Sequence, residues 1–158
     1  MNQNRTVKGA TIFIGGVFGV GKTTLSYNLS KVLDWKQRTS LGVVTKTLMY
    51  LKRNDPLIRN LNKLSRNSNE FLLFLRQSKQ LCQITNFITE VAWKDGLNYI
   101  IDGVQLLPEY LSLNKSTAYL YIKSPRKEDL YSRLKFSTTH PSRYKDISWK
   151  DVERLQEL

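Results

Sequence analysis

Apolar positions along the chain change their period several times, and each change predicts an element. Ala10 to Ile14 is a short apolar run, partly β-branched, as a buried strand requires. Lys22 to Leu33 places Leu25, Leu29, Val32 and Leu33 at helical spacing. Arg38 to Val44 carries a weak signal for a second, short edge strand. Val43 to Lys52 reads as a helix with Val43, Val44, Thr47, Leu48 and Leu51 turned inward, ended by Asn54-Asp55-Pro56. A further short helix is expected over Leu57 to Leu64. The longest periodic segment is Asn69 to Lys94, with Phe71, Leu72, Leu75, Leu81, Ile84, Phe87, Ile88, Val91 and Ala92 on one broad face and Asp95-Gly96 as its stop. Leu97 to Asp102 and Thr117 to Ile122 are two more apolar strands. Ser124-Pro125 opens a helix to about Phe136, with Ser as cap and Pro at the first helical position. Ser137 to Asp146 is a polar loop, and Ser148 to Asp151 has the spacing of a capping box that starts a last helix. Strands separated by helices predict an α/β fold: a parallel sheet with helices on both faces. With no internal repeat or low-complexity linker, residues 1–158 read as one domain, of which 1–9 are a polar lead-in.

The junction of the first strand and first helix is the stretch that carries chemistry. Gly16, Gly21, Lys22 and Thr23 match the phosphate-binding pattern Gly-x-x-x-x-Gly-Lys-[Ser/Thr], with strand before and helix after, as a P-loop NTPase or kinase fold requires. Gly16, Gly19 and Gly21 let the backbone curl so that its N–H groups face a phosphate chain, and the helix adds its positive end at the same point. The binding segment is Gly16, Val17, Phe18, Gly19, Val20, Gly21, Lys22, Thr23 and Thr24. In it Lys22 supplies a mobile charge for the outer phosphates and Thr23 a hydroxyl for Mg²⁺.

Charge sharpens this reading. Net charge is +12, from 25 Lys and Arg against 13 Asp and Glu, and such a field attracts nucleotides, phosphorylated metabolites or nucleic acid. Basic residues gather between Lys36 and Arg66 and between Lys123 and Lys150; most of them read as solvated faces. No apolar run approaches the roughly 20 residues of a membrane span, and Met1 to Ala10 lacks a signal-peptide apolar region. The single cysteine, Cys82, allows neither an intramolecular disulfide nor a multi-cysteine metal site, and it reads as a packed core thiol. A cytoplasmic, reducing location fits.

Two further groups join the loop as candidates. Asp102 ends an apolar strand, where an acid approaches Mg²⁺ or receives a hydroxyl proton; the bland alternative is a turn-forming Asp before Gly103. Arg126, Lys127, Arg133 and Lys135, followed by Arg143, make residues 123–147 a candidate lid whose arginines close over a transferring phosphoryl group. Arg126 and Arg133, seven apart, fall on nearly one helical face. Each arginine also reads as an ordinary surface charge, with Arg133 ranked first. His140, the single histidine, precedes Pro141 in a polar loop and shows no partners for a metal or base role.

Three segments are similar to a known family. Gly15-Gly-Val-Phe-Gly-Val-Gly-Lys-Thr-Thr-Leu-Ser26, Ile101-Asp-Gly-Val-Gln-Leu-Leu-Pro108 and Ser142-Arg-Tyr144 with the helix after it resemble the 2-phosphoglycerate kinase family. The resemblance runs from Thr11 onward, and Asp102 to Pro108 is its specific part. It implies an ATP- and Mg²⁺-dependent phosphotransferase acting on a small, already phosphorylated hydroxy compound. By that resemblance Lys22 and Thr23 bind nucleotide and metal, Asp102 and Gln105 face the acceptor, and Arg133 and Arg143 contact phosphates. Asp102 and Gln105 stand where the family usually has Glu and His. Thr39 to Leu48 has no acid where the family tends to carry Thr-Asp followed by Arg-Glu, which leaves Asp102 to receive the hydroxyl proton. The family's last strand and helix have no counterpart after the helix that opens at Ser148.

Other acceptors stay open: a nucleotide, a sugar nucleotide, or a polynucleotide 5′-hydroxyl, which the basic charge admits without favouring. A module that binds ATP or GTP without transferring phosphate is the reading from another class. No guanine-reading Asn-Lys-x-Asp stretch occurs, which favours ATP.

Overall fold

The computed structural model describes residues 9–52, 54, 68–137, 144 and 146–157. Its elements are β1 (Thr11–Gly16), α1 (Lys22–Val32), β2 (Gln37–Ser40), α2 (Leu41–Leu51), α3 (Ser68–Lys94), β3 (Tyr99–Asp102), a 3₁₀ turn (Pro108–Tyr110), β4 (Thr117–Ile122), α4 (Lys127–Lys135) and α5 (Trp149–Glu157). The helix expected over Leu57 to Leu64 lies outside the described residues.

All strand pairs are parallel, in the order β2-β3-β1-β4. The chain leaves β1 toward β2 at one edge and later leaves β3 toward β4 at the other. Connections running opposite ways along a parallel sheet put their helices on opposite faces, because each crossover is right-handed. The expected α/β fold with a doubly covered parallel sheet is therefore present. The C-terminal ends of β1 and β3 are its switch point, where such sheets hold ligands.

Two apolar clusters hold the layers. Phe13 and Ile101 of the sheet meet Leu41, Leu81, Cys82, Leu106 and Leu111 on one side. Around the glycine loop, Val17 and Val20 meet Leu130, Leu134, Tyr144, Ile147, Val152 and Leu155. Fully burying side chains such as Leu130 and Leu134 contributes about 2–3 kcal/mol each. Among the described residues, no helix is long and apolar enough to cross a membrane.

Hydrogen bonds explain where boundaries differ from the periodic pattern. β3 starts at Tyr99 because the Leu97 N–H closes α3 onto the Ala92 carbonyl at 2.8 Å, while the Asn98 side chain accepts from the Ala10 N–H at 2.9 Å. α2 starts at Leu41, ahead of the expected Val43, because Ser40 caps it: its Oγ accepts from the Gly42 N–H at 3.4 Å. α4 starts at Lys127, beyond the expected Ser-Pro cap, with Arg126 at its cap position; the Ser124 hydroxyl donates to the Arg126 carbonyl at 3.0 Å. The capping box before α5 forms as expected: Ser148 N–H donates to Asp151 Oδ2 at 2.9 Å and Asp151 N–H to Ser148 Oγ at 3.2 Å.

The inward face of α3 is not the one its large residues mark. Gln77, Ser78, Leu81, Cys82, Thr85, Thr89 and Ala92 are buried, whereas Phe71, Leu72, Phe87 and Val91 are exposed. Small side chains let the helix come close, and the two threonines satisfy themselves by donating back to Leu81 O and Thr85 O at 2.8 Å each. Val32, at helical spacing with Leu25 and Leu29, is likewise exposed.

Candidate functional site

Glycine geometry builds the loop after β1. Gly16, Gly19 and Gly21 all have positive φ, at 133°, 77° and 95°. A Cβ on Gly16 would strike the Ile122 carbonyl of β4, and one on Gly19 would lie 2.8 Å from Leu134 of α4. The loop is thus pressed between the sheet edge and α4. Val17 and Val20 point into the cluster behind it, which leaves the backbone of Gly19 and Gly21 to face the cleft. α1 begins directly at Lys22, with Gly21 in the left-handed conformation ahead of it. Lys22 is buried, and its ammonium donates to the Val17 carbonyl at 2.5 Å, so the charge sits inside the loop's own curl.

Across the loop lies Asp102. It is 1 % exposed and ends β3, with Ile14 of β1 and Ser40 of β2 as its register partners on either side. Thr23 donates its hydroxyl proton to Asp102 Oδ2 at 3.0 Å. Oδ1 is buried and has no hydrogen-bond partner among the described residues. A buried carboxylate oxygen left unpaired is costly unless a cation, a water or a donor completes it. The Thr23 hydroxyl with Oδ2 of Asp102 fits Mg²⁺, whose usual set is one carboxylate, one hydroxyl and ligand oxygens, and Oδ1 is left to meet a donor. Among the described residues, no group of three or more His, Cys, Asp or Glu is placed to hold a metal.

These residues share one cleft of about 930 Å³. One wall is the loop, from Phe18, Gly19, Gly21 and Lys22 to Thr23 and Thr24. The floor is Asp102, Gly103, Val104 and Gln105, and α4 contributes Arg133, Leu134 and Phe136. The opposite wall is the start of α2: Ser40, Gly42, Val43, Thr45 and Lys46. Lys22, Lys46 and Arg133 thus stand against the single carboxylate of Asp102, which makes the described lining a site for anions. A smaller pocket of about 420 Å³, lined by Thr11, Asn86, Trp93 and Thr117, lies at the other end of the sheet and touches none of the loop residues.

The predicted residues separate into groups. Phe18, Gly19, Gly21, Lys22, Thr23, Thr24, Asp102, Gln105 and Arg133 line the cleft. Gly16, Val17 and Val20 shape it from behind. Arg126 is not in the lining: it precedes α4 instead of sharing a helical face with Arg133, and it is tied in a solvent-exposed ion pair to Asp129 at 3.0 Å. Arg143 and His140 lie outside the described residues. The residues that the sequence did not single out are Ser40, Thr45 and Lys46. They belong to no motif, and Lys46 is one of many lysines in a basic stretch.

Cys82 sits one layer behind the floor. Its thiol donates to the Gln105 carbonyl at 3.2 Å, and burial raises its pKa to about 11. It is a structural support for the Asp102–Gln105 segment, as the expectation of a core thiol requires.

No protein-family model matches the chain. It is 24% identical over 162 residues to 2-phosphoglycerate kinase of Thermococcus kodakarensis, covering 94% of this chain and 54% of that protein. The 2-phosphoglycerate kinases of Pyrococcus furiosus and Pyrococcus horikoshii are 23% and 24% identical over 158 residues, each covering 93% of this chain and 52% of the relative. The chain spans about half the length of the curated relatives it matches. Among solved structures, an uncharacterized protein from Eubacterium ventriosum aligns with a TM-score of 0.49 at 20% identity, over 95% of this chain and 73% of that one. Over nearly its full length, then, the chain bears a distant resemblance to the 2-phosphoglycerate kinase family.

Proposed function

We propose that the protein is an ATP- and Mg²⁺-dependent kinase acting on a small, already phosphorylated hydroxy compound. The observation that carries this reading is the Thr23–Asp102 hydrogen bond at the mouth of a glycine loop, joining residues 79 apart in sequence. It brings together the hydroxyl and the carboxylate that phosphate-loop kinases use around their metal. The distant likeness to 2-phosphoglycerate kinases supports the same chemistry.

Bound Mg²⁺ would supply charge neutralisation between the outer phosphates, held by Thr23 and Asp102. The curled backbone from Gly16 to Thr24 would cradle the phosphates, and the start of α1 adds its dipole. Lys22 would leave the Val17 carbonyl for the γ-phosphate. The acceptor hydroxyl oxygen forms the new bond to the γ-phosphorus as the bond to the ADP oxygen breaks. Asp102, whose Oδ2 is held by Thr23, takes the hydroxyl proton through Oδ1. Arg133 faces the charge that spreads over the three phosphoryl oxygens.

The test is ADP release from ATP-Mg²⁺ with phosphorylated hydroxy acids, sugar nucleotides, nucleosides and short oligonucleotides as acceptors. Release stimulated by 2-phosphoglycerate or another phosphorylated hydroxy compound, and lost in Lys22→Ala, supports the reading. Tight ATP binding with no stimulation by any acceptor replaces it with a nucleotide-binding module. Stimulation by oligonucleotides that falls steeply with salt replaces it with a polynucleotide kinase.

A further inference from the structure

Resting on the kinase reading, and extending it to residues that reading does not use, we infer that the first two turns of α2 are the site that recognises the acceptor's anionic group. The Thr45 hydroxyl and the Lys46 ammonium are its side chains.

Position is the first argument. Ser40 is the register partner of Asp102, and α2 begins at the next residue. Gly103, which follows Asp102, has room for no Cβ, because the side chain of Leu41 would lie 2.5 Å from it. The N-terminus of α2 is therefore held against the floor of the cleft, across from the phosphate loop. An acceptor whose hydroxyl reaches Asp102 has its remaining groups on this wall.

The second argument is an orphan. Thr45 is 2 % exposed, lines the cleft, and its Oγ1 has no hydrogen-bond partner among the described residues. A helical threonine normally satisfies its hydroxyl on the carbonyl four residues back, as Thr47, Thr85 and Thr89 do in this protein. Thr45 forgoes that bond at a buried position, which is unfavourable unless a ligand completes it.

The third argument is charge. The first turn of α2 holds no acidic residue, so apart from the Ser40 hydroxyl on the Gly42 N–H no side chain of that turn offsets its dipole. Lys46 lines the cleft one residue beyond Thr45 and makes no ion pair among the described residues. Gln105 lines the floor of the same cleft. A helix N-terminus, a buried hydroxyl and a lysine lining one wall suit a phosphate or carboxylate.

Calorimetry on the full chain tests this with 2-phosphoglycerate, glycerate and inorganic phosphate, alongside ATP-Mg²⁺. We expect Lys46→Ala to weaken 2-phosphoglycerate binding at least about tenfold and Thr45→Val about three- to tenfold, with ATP-Mg²⁺ affinity unchanged within about twofold. Lys115→Ala, an exposed lysine before β4, controls for the loss of one charge and should change neither. Acceptor affinity in Lys46→Ala and Thr45→Val within about twofold of wild type overturns the inference, as does a wild-type chain that binds none of the three anions more tightly than about 10 mM. Anion binding that depends on Lys46 in a chain that fails to bind ATP-Mg²⁺ upholds the α2 site while sinking the kinase reading.

Discussion

The Thr23 hydroxyl meets Asp102 Oδ2 at 3.0 Å, linking the first residue pair of α1 to the last residue of β3. One oxygen of a buried carboxylate is paired, and the other has no partner among the described residues. Asp102→Asn keeps an acceptor for Thr23 but removes the charge and the base. The expected outcome is a thermal midpoint close to wild type, with turnover reduced about 10²–10⁴-fold and not restored by excess Mg²⁺. Steady-state kinetics across an Mg²⁺ series checks it; unchanged turnover would remove Asp102 from the chemistry.

Lys22→Ala removes the ammonium that donates to the Val17 carbonyl. Its turnover should fall about 10²–10³-fold, the cost of losing one preorganised donor, or about 3–4 kcal/mol. ADP release compared with a thermal melt separates the two effects.

Gly16→Ala places a methyl group on the Ile122 carbonyl at a φ of 133° that L-residues rarely adopt. Backbone cannot yield as a flexible side chain can. The expected loss is at least about 2 kcal/mol, or roughly 5–10 °C in Tm. A wild-type melting curve would refute the tight loop–β4 contact.

Burial raises the Cys82 pKa from 9.0 to about 11. The folded thiol therefore stays protonated where the unfolded one has begun to ionise. Its share of stability is complete below pH 9 and is lost as pH rises through about 11, amounting to about 3 kcal/mol at most. At pH 8 the folded protein should react with a thiol reagent far more slowly than the same chain in denaturant. Equal rates would place Cys82 at the surface.

Ser148→Ala removes one half of the capping box that starts α5. We expect a loss of about 1 kcal/mol with no change in nucleotide affinity. Thermal melts and ATP-Mg²⁺ calorimetry on the same variant check both parts.

The elements and the loop are legible in the sequence, because both are written locally. Periodicity marks β1, α1 and β4 within a residue or two, and glycine spacing marks the backbone that must turn through positive φ. It also marked Asp102, since an acid ending an apolar strand of a parallel sheet has few places to go. Whatever depends on how closely elements approach was set by packing. α3 turns Ser78, Cys82, Thr85 and Thr89 inward rather than Phe71 and Phe87, because a close helix–sheet distance rewards small side chains and size alone does not reveal it. Arg126 and Arg133 look equivalent by spacing, yet a helix that begins at Lys127 sends only Arg133 to the cleft. Lys46 and Thr45 carry no motif at all. Parallel pairing of Ser40 with Asp102 is what brings α2 to the site, and that pairing joins residues far apart in the chain.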